Sequence, residues 1–237
     1  MVLVFVVTIA IMLVGLRSVL AINRENLATS WAIANRVIVV DPGHGGIDPG
    51  AVGQGVTEKR IVLEVAKRLK TLLNHAGAKV IMTRDSDTDL GSPGPNGLSG
   101  RKREDLANRV ELANSNKADL YLSIHVNAFP SSRWRGAQTF YQRNQAEGKK
   151  LAEAIQGELI RVLGNTDRVA KAEDFYTTRN TNMASAIVEI GFISNPAEAE
   201  LLTDAAYQRK LALAIYSGLV KYYAEQLPKQ EPEKSSK

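Results

Sequence analysis

Apolar positions along this chain fall into two periods separated by polar, glycine-rich breaks, and the order of those periods predicts the architecture. Val37 to Val40 is a short continuous apolar run, the pattern of a strand buried on both faces, and it leads into a glycine-rich turn that lasts through Gly55. Ile61, Val62, Val65, Leu69, Leu72 and Leu73 then repeat with helical spacing, with Thr57 placed to cap the helix and Gly77 to end it. Lys79 to Thr83 reads as a second strand, and Asp85 to Arg101, rich in Gly, Pro, Ser and Asp, as a long surface loop. A helix over 104–114, strands over 120–126 and 137–141, a helix over 145–163, a strand over 186–190 and a closing helix over 205–225 complete the pattern. Strands alternating with helices of this length predict an α/β fold: a single-domain, three-layer sandwich in which helices flank a largely parallel mixed sheet.

The ends of the chain have a different composition. Residues 1–22 are almost wholly apolar, broken at Arg17 and Ser18, with no polar face for a soluble helix to turn outward, so the segment is expected to be a secretory signal or membrane anchor. Small-residue cleavage sites end at Ala21 and Ala32, although the basic residues that usually precede such a stretch are missing. Residues 23–35 read as a polar tether, 36–226 as the folded domain, and 227–237, made mostly of Pro, Lys, Glu and Ser, as a disordered tail.

Composition narrows the chemistry. A chain of 237 residues, 44% hydrophobic and 23% charged, can bury one sizeable core. The formal charge of +5 favours a polyanionic neighbour such as wall polymer, anionic lipid or nucleic acid, but it is modest and its basic residues are scattered, so it carries little weight, and no nucleic-acid partner is expected. There is no cysteine, so disulfides and thiolate metal sites are excluded.

Two of the three histidines, His44 and His125, stand just past or near the ends of apolar strand-like runs. Glu58 opens the helix after the first of them, and a His, Glu, His set is the ligand chemistry of a catalytic zinc site with an open fourth position. Gly43, Gly45 and Gly46 let backbone pass close to a bound ion or substrate. Ser123, His125 and Asn127 alternate along one strand and so share a face. Glu189 sits inside the apolar run Ala186-Ile-Val-Glu-Ile, where an unpaired carboxylate must shift its pKa or find a cation. Simpler readings exist for single residues: His75 suits the last turn of a helix, and Glu58 alone would be an ordinary first-turn carboxylate.

In combination, Asp41-Pro-Gly-His44-Gly-Gly, Glu58, Ser123-Ile-His125-Val-Asn-Ala and Val188-Glu189-Ile-Gly-Phe-Ile-Ser-Asn195-Pro resemble the zinc-dependent N-acetylmuramoyl-L-alanine amidases of the amidase-3 type, from about Arg36 to Glu225. The resemblance implies one Zn2+ per chain on His44, Glu58 and His125, with Glu189 as the catalytic glutamate. It also implies hydrolysis of the amide between N-acetylmuramic acid and L-alanine in peptidoglycan. Residues 101–128 and the Ser131-to-Gly136 loop with Trp134 are most similar to the germination-specific (CwlD) type, which points to the spore cortex and its muramic lactam. Asn127 and Arg179 are then candidates for holding substrate, and Asp41 for fixing the tautomer of a ligand histidine from behind.

The implied protein is an extracytoplasmic monomer, secreted or tethered to the membrane by its N-terminal segment, working on wall polymer with or without an activating or anchoring protein. Where relatives carry a proline before the glutamate strand, this chain has Met183-Ala184-Ser185, which touches none of the four core residues. The alternatives are a vegetative cell-separation amidase, a noncatalytic peptidoglycan-binding protein and a zinc exopeptidase. A phosphate-binding loop is disfavoured, because neither G-x-G-x-x-G nor G-x-x-x-x-G-K-S/T is completed.

Overall fold

The computed structural model describes residues 32–93 and 97–227. The apolar segment 1–22, the tether up to residue 31 and the tail over 228–237 lie outside the described residues. Among the described residues no helix is long and apolar enough to cross a membrane.

The elements run in the order β1 (Val37–Pro42), β2 (Val52–Gly53), β3 (Val56–Thr57), α1 (Glu58–His75), β4 (Lys79–Met82), α2 (Gly97–Ser115), β5 (Leu120–Asn127), β6 (Gln138–Tyr141), α3 (Ala146–Leu163), β7 (Lys171–Ala172), α4 (Tyr176–Asn180), β8 (Ala184–Phe192), α5 (Pro196–Thr203) and α6 (Ala205–Ala224). Six strands form one sheet in the order β4-β1-β5-β8-β6-β7. β4, β1, β5 and β8 are parallel, and β6 runs antiparallel to β8. This is the single-domain α/β sandwich expected from the pattern.

The period of two along each strand sorts side chains onto two unlike faces. Ile38 and Val40 of β1, Leu120, Leu122, Ile124 and Val126 of β5, and Ala186, Val188 and Ile190 of β8 join the main core with apolar residues of α1, α3 and α6. On the opposite face Val39, Ala113, Ala118 and Tyr121 make a much smaller cluster under α2. The same face carries Asp41, Ser123, His125 and Glu189 by the alternation, whereas Thr139 of β6 turns the other way and bonds Ala152 O of α3 at 2.9 Å. Burying that polar face needs partners, and α2 with the short α4 supplies the cover.

Local chemistry sets the helix ends. Asn195 caps α5 by accepting from Ala197 N at 3.1 Å and Glu198 N at 3.2 Å, with Pro196 in the first turn, and Asp204 caps α6 by accepting from Tyr207 N at 2.7 Å. Gly164 closes α3 in the left-handed conformation at φ 64°. Thr57 does not cap α1 through its side chain; its first amides instead reach back into the preceding loop, Glu58 N to Ala51 O at 2.9 Å and Lys59 N to Pro49 O at 3.1 Å. That loop is therefore fastened to the helix start, which matters for the site it carries.

Three expectations change. Helix α2 begins at Gly97, so the last part of the expected 85–101 loop is helical; polar residues over its first turns hid the period. Ala32 and Ile33, assigned to the tether, are buried in the main core, and Asn35 N bonds Gly77 O at 2.9 Å. β1 runs on through Asp41 and Pro42, because they pair with Ser123 and Ile124 of β5.

The α3 and α6 helices meet closely at Gly218, where an added Cβ would lie 2.5 Å from Ile155 Cα. Gly218→Ala is expected to lower unfolding free energy by about 1–3 kcal/mol through overpacking. Gly157→Ala, on the exposed side of α3 with nothing within 4 Å, is expected to raise it by up to about 1 kcal/mol through helix propensity. Urea denaturation of the two variants, read by circular dichroism, checks the opposite signs.

Candidate metal centre

The parallel strands bring their carboxyl ends to one edge, and the loop leaving β1 folds over that edge. His44 lies two residues past β1 with φ 61°, a left-handed conformation uncommon for a residue with a Cβ. The groups that hold this loop are two buried arginines. Arg109 of α2 donates to Pro42 O at 3.0 Å and His44 O at 2.7 Å, and Arg84 donates to Pro42 O and Gly43 O at 2.9 Å each and to Lys59 O at 2.8 Å. Three successive carbonyls of the loop are thus tied down.

Asp41 anchors this arrangement from beneath. Its carboxylate accepts from Arg109 Nη1, Thr83 Oγ1, Tyr121 OH and Ser123 Oγ, each at 2.6 Å, and it is 1% exposed. Burial alone would raise its pKa, but the Arg109 guanidinium and the three hydroxyl donors hold the carboxyl well below the usual range. Neither histidine bonds Asp41. The orienting role expected of Asp41 falls instead to Asp48, whose Oδ2 bonds His44 Nδ1 at 2.8 Å and leaves His44 Nε2 facing Glu58.

Glu58, at the start of α1, joins the two imidazoles. Its Oε1 lies 3.2 Å from His44 Nε2 and 2.9 Å from His125 Nδ1, and accepts from Val126 N at 2.9 Å; its Oε2 accepts from Ala51 N at 2.7 Å. The rings of His44 and His125 stand edge to face with centroids 4.9 Å apart. One ligand atom from each of the three residues lies within 4.8 Å of the others. Ligands of a tetrahedral zinc at ~2.0–2.1 Å are roughly 3.3 Å apart, so small movements suffice to bring the three into a coordination shell.

The electrostatics suit a cation. Burial disfavours a charged His125, yet the Glu58 carboxylate, with Glu189 and Asp41 behind it, pushes its imidazole up to about 9. Carboxylates that stabilise a proton there stabilise a metal ion in the same place. Glu58 itself is held well below the usual carboxylate range, burial being outweighed by its bonds to His125 and His44. Gly43 completes the fit: any Cβ there would run into the His125 ring. Gly50, at φ 66°, is hemmed in by Glu58 and His44 in the same way.

Glu189 stands beside this cluster, its Cα paired in register with that of His125 across β5 and β8. Its Oε2 is buried without a hydrogen-bond partner among the described residues. Desolvation raises its pKa to about 7, with the nearby Glu58 carboxylate also raising it and the two imidazoles opposing. A buried carboxylate left with an open oxygen and poised near neutrality is suited to proton transfer.

These residues belong to a chain that matches the N-acetylmuramoyl-L-alanine amidase (Amidase_3) family over residues 38–221. The chain belongs to that family. It is similar to the germination-specific N-acetylmuramoyl-L-alanine amidase of Bacillus subtilis, with 50% identity over 197 residues covering 83% of each chain. It is also 40% identical to the amidase LytC of Bacillus subtilis over 81% of this chain and 36% of that protein. Among solved structures, the CwlD amidase of Clostridioides difficile, in complex with the GerS lipoprotein, superposes with a TM-score of 0.77 at 41% identity, covering 79% of this chain and 98% of that one. The catalytic domain of the amidase CwlV from Bacillus (Paenibacillus) polymyxa gives 0.70 at 32% identity.

In this amidase the cleft beside the two histidines has a volume of about 210 Å³ and is lined in part by Lys102, Leu106, Phe175 and Tyr176. A larger hollow of about 440 Å³ near the starts of α1 and α6 contains no histidine, so the candidate metal centre opens into the smaller one. The other candidates are not ligand atoms of the cluster. Asn127 ends β5 where the register with β8 slips, and its carbonyl accepts from Ile193 N at 2.9 Å. Arg179 lies on α4, but its guanidinium bonds Asp174 at 2.7 Å and stacks near Tyr176. His75 is in the last turn of α1, far along that helix from Glu58.

Arg84, Arg109 and Asp48 escaped sequence reasoning. Arg109 carried a usable signal: with Asp105, Val110 and Ala113 it shares the buried stripe of α2, and a charge on a buried stripe requires a partner. Removing that partner tests the scaffold. Arg109→Met leaves Asp41 buried and uncompensated and is expected to cost about 3–5 kcal/mol. Asp41→Asn combined with Arg109→Met should recover part of the loss. A double-mutant cycle in urea, run on metal-free protein, measures the coupling.

Proposed function

We propose that this amidase is a zinc enzyme that removes stem peptides from muramic acid outside the cytoplasmic membrane, in the germination-specific role of its Bacillus subtilis relative. The observation that carries the reading is the buried, unpartnered Oε2 of Glu189 beside the His44, Glu58, His125 cluster. His44 Nε2, His125 Nδ1 and a Glu58 oxygen would hold one zinc ion per chain. When bound, the ion supplies Lewis acidity, polarising the scissile carbonyl and acidifying the attacking water.

The protein's own groups do the rest. Glu189, neutralised only in part near pH 7, accepts the proton of the attacking water at Oε2 and delivers it to the amide nitrogen as the C–N bond breaks. Asp48 keeps Nδ1 of His44 engaged so that Nε2 stays available as a ligand. Arg109 and Arg84 keep the His44 loop from relaxing out of its left-handed turn. Asn127, at the rim, is assigned to substrate contact; Arg179 is assigned there through α4, whose Tyr176 lines the cleft.

The identity of 50% with the germination-specific amidase, against 40% with LytC, supports the cortex role over a vegetative one. That role places the domain beyond the membrane, with residues 1–22 as signal or anchor and peptide removal preparing muramic acid for lactam formation. The Clostridioides difficile relative is solved with a lipoprotein bound, which supports an extracytoplasmic protein partner here as well.

Two experiments test these assignments. Purified protein should carry about one zinc per chain by elemental analysis, and His44→Ala or His125→Ala should lose it. Glu189→Gln should keep most of the zinc while slowing release of peptide from purified peptidoglycan at least about a hundredfold, with His75→Ala as the active control. Full metal and full rate in both histidine variants would reject the ligand set. Separately, spores of a deletion strain should lack muramic lactam and be restored by the full chain but not by one lacking residues 1–22. Normal lactam in the deletion strain would leave the amidase chemistry standing and remove the cortex role.

A further inference from the structure

The charges lining the cleft are almost all satisfied within the protein. Asp41 and Asp105 both bond Arg109, at 2.6 and 2.8 Å, and the side chain of Arg109 is 1% exposed. Asp48 accepts from His44 Nδ1 at 2.8 Å, from Gly50 N at 3.3 Å and from Lys102 Nζ at 2.7 Å. Lys102 is different. Among the described residues it is the one accessible cation of the lining, its side chain 49% exposed, and its ammonium has three donors of which the bond to Asp48 takes one.

Its position is set as well as its charge. Asp48 bridges Lys102 to the candidate ligand His44, so Nζ lies within about 10 Å of His44 Nε2, counting two hydrogen bonds and the groups between. The wall beside it is apolar, formed by Leu106, Phe175 and Tyr176. An extended peptide advances ~3.4 Å per residue, so a carboxylate on the second residue from a bond cut at the metal lies roughly 7 Å away. A tethered ammonium at that reach, paired with Asp48 but with two of its three donors still open, is a carboxylate site.

The geometry points to Lys102 as a specificity-determining residue that selects stem peptides whose second residue bears a free carboxylate over those bearing a carboxamide. Asp48 holds the ammonium in place, and Leu106, Phe175 and Tyr176 flank the peptide. This rests on the amidase reading given above. It adds which peptide the site prefers and which side chain decides it.

The test uses the zinc-loaded full-length protein and two synthetic muramoyl peptides that differ only in carboxylate or carboxamide at the second residue. Wild type is expected to favour the acid by about tenfold in kcat/KM, mainly through KM. In Lys102→Met the ratio should fall to near one, and Lys102→Arg should keep most of it. Because the ratio is taken within one enzyme, a change in active fraction or metal content cancels. A wild type without preference, or a Lys102→Met that keeps the full preference, overturns the assignment while leaving the amidase intact. A wild type that cleaves neither peptide overturns the amidase reading, and the inference with it.

Discussion

The buried ion pair between Arg109 and Asp41 is the contact on which the rest of this amidase turns. The two residues are 68 positions apart, their side chains each 1% exposed, and each is useless without the other: an isolated charge at either place would cost several kcal/mol. Pairing alone does not offset that cost. The remaining capacity of both groups is filled, the carboxylate by Thr83, Tyr121 and Ser123, the guanidinium by Asp105 and by the carbonyls of Pro42 and His44. Such a network has one low-energy arrangement, and the His44 loop is part of it.

The consequence is a division of labour between the two faces of the sheet. One face is largely apolar and packs on α1, α3 and α6, supplying the burial that stabilises the domain. The other face carries the polar strand positions and a small apolar cluster, with α2 and α4 as its cover. His44, His125 and Glu189 gather where the polar face meets the carboxyl ends of β1, β5 and β8, the usual place for sites in open parallel sheets. Glu58 enters from the apolar side, at the start of α1, and the bonds from Ala51 N and Val126 N fix its carboxylate across that border.

Rigidity and reactivity are arranged on separate residues. Asp41, Arg84 and Arg109 are saturated with partners and hold shape, whereas Glu189 retains a buried oxygen without one among the described residues and is pushed up to about 7 by desolvation. A group that is fully bonded cannot move a proton cheaply, and a group that is not fully bonded cannot hold a loop. The cleft lies between the two kinds, with Lys102 at its accessible side.

Much of this was legible in the order of residues. The strand and helix periods, the alternation that puts Ser123 and His125 on one face, and the ligand chemistry of His44, Glu58 and His125 depend on neighbours a few positions away or on residue type alone, so sequence determines them. What only the tertiary structure decided were the relations among distant positions. Asp48 rather than Asp41 bonds His44, because loop closure turns one carboxylate toward the ring and α2 claims the other. Ile33 belongs to the core rather than to a tether, because α1 and α6 leave it an apolar place, which no local period records. Lys102 faces the cleft because the polar residues at the start of α2 are helical, and that turn is fastened by Asp89 and Asp105, which bond Arg101, Leu90 N and Arg109. Hydrogen bonds and ion pairs between residues far apart in the chain carry no periodic signature, and they are what sets the site.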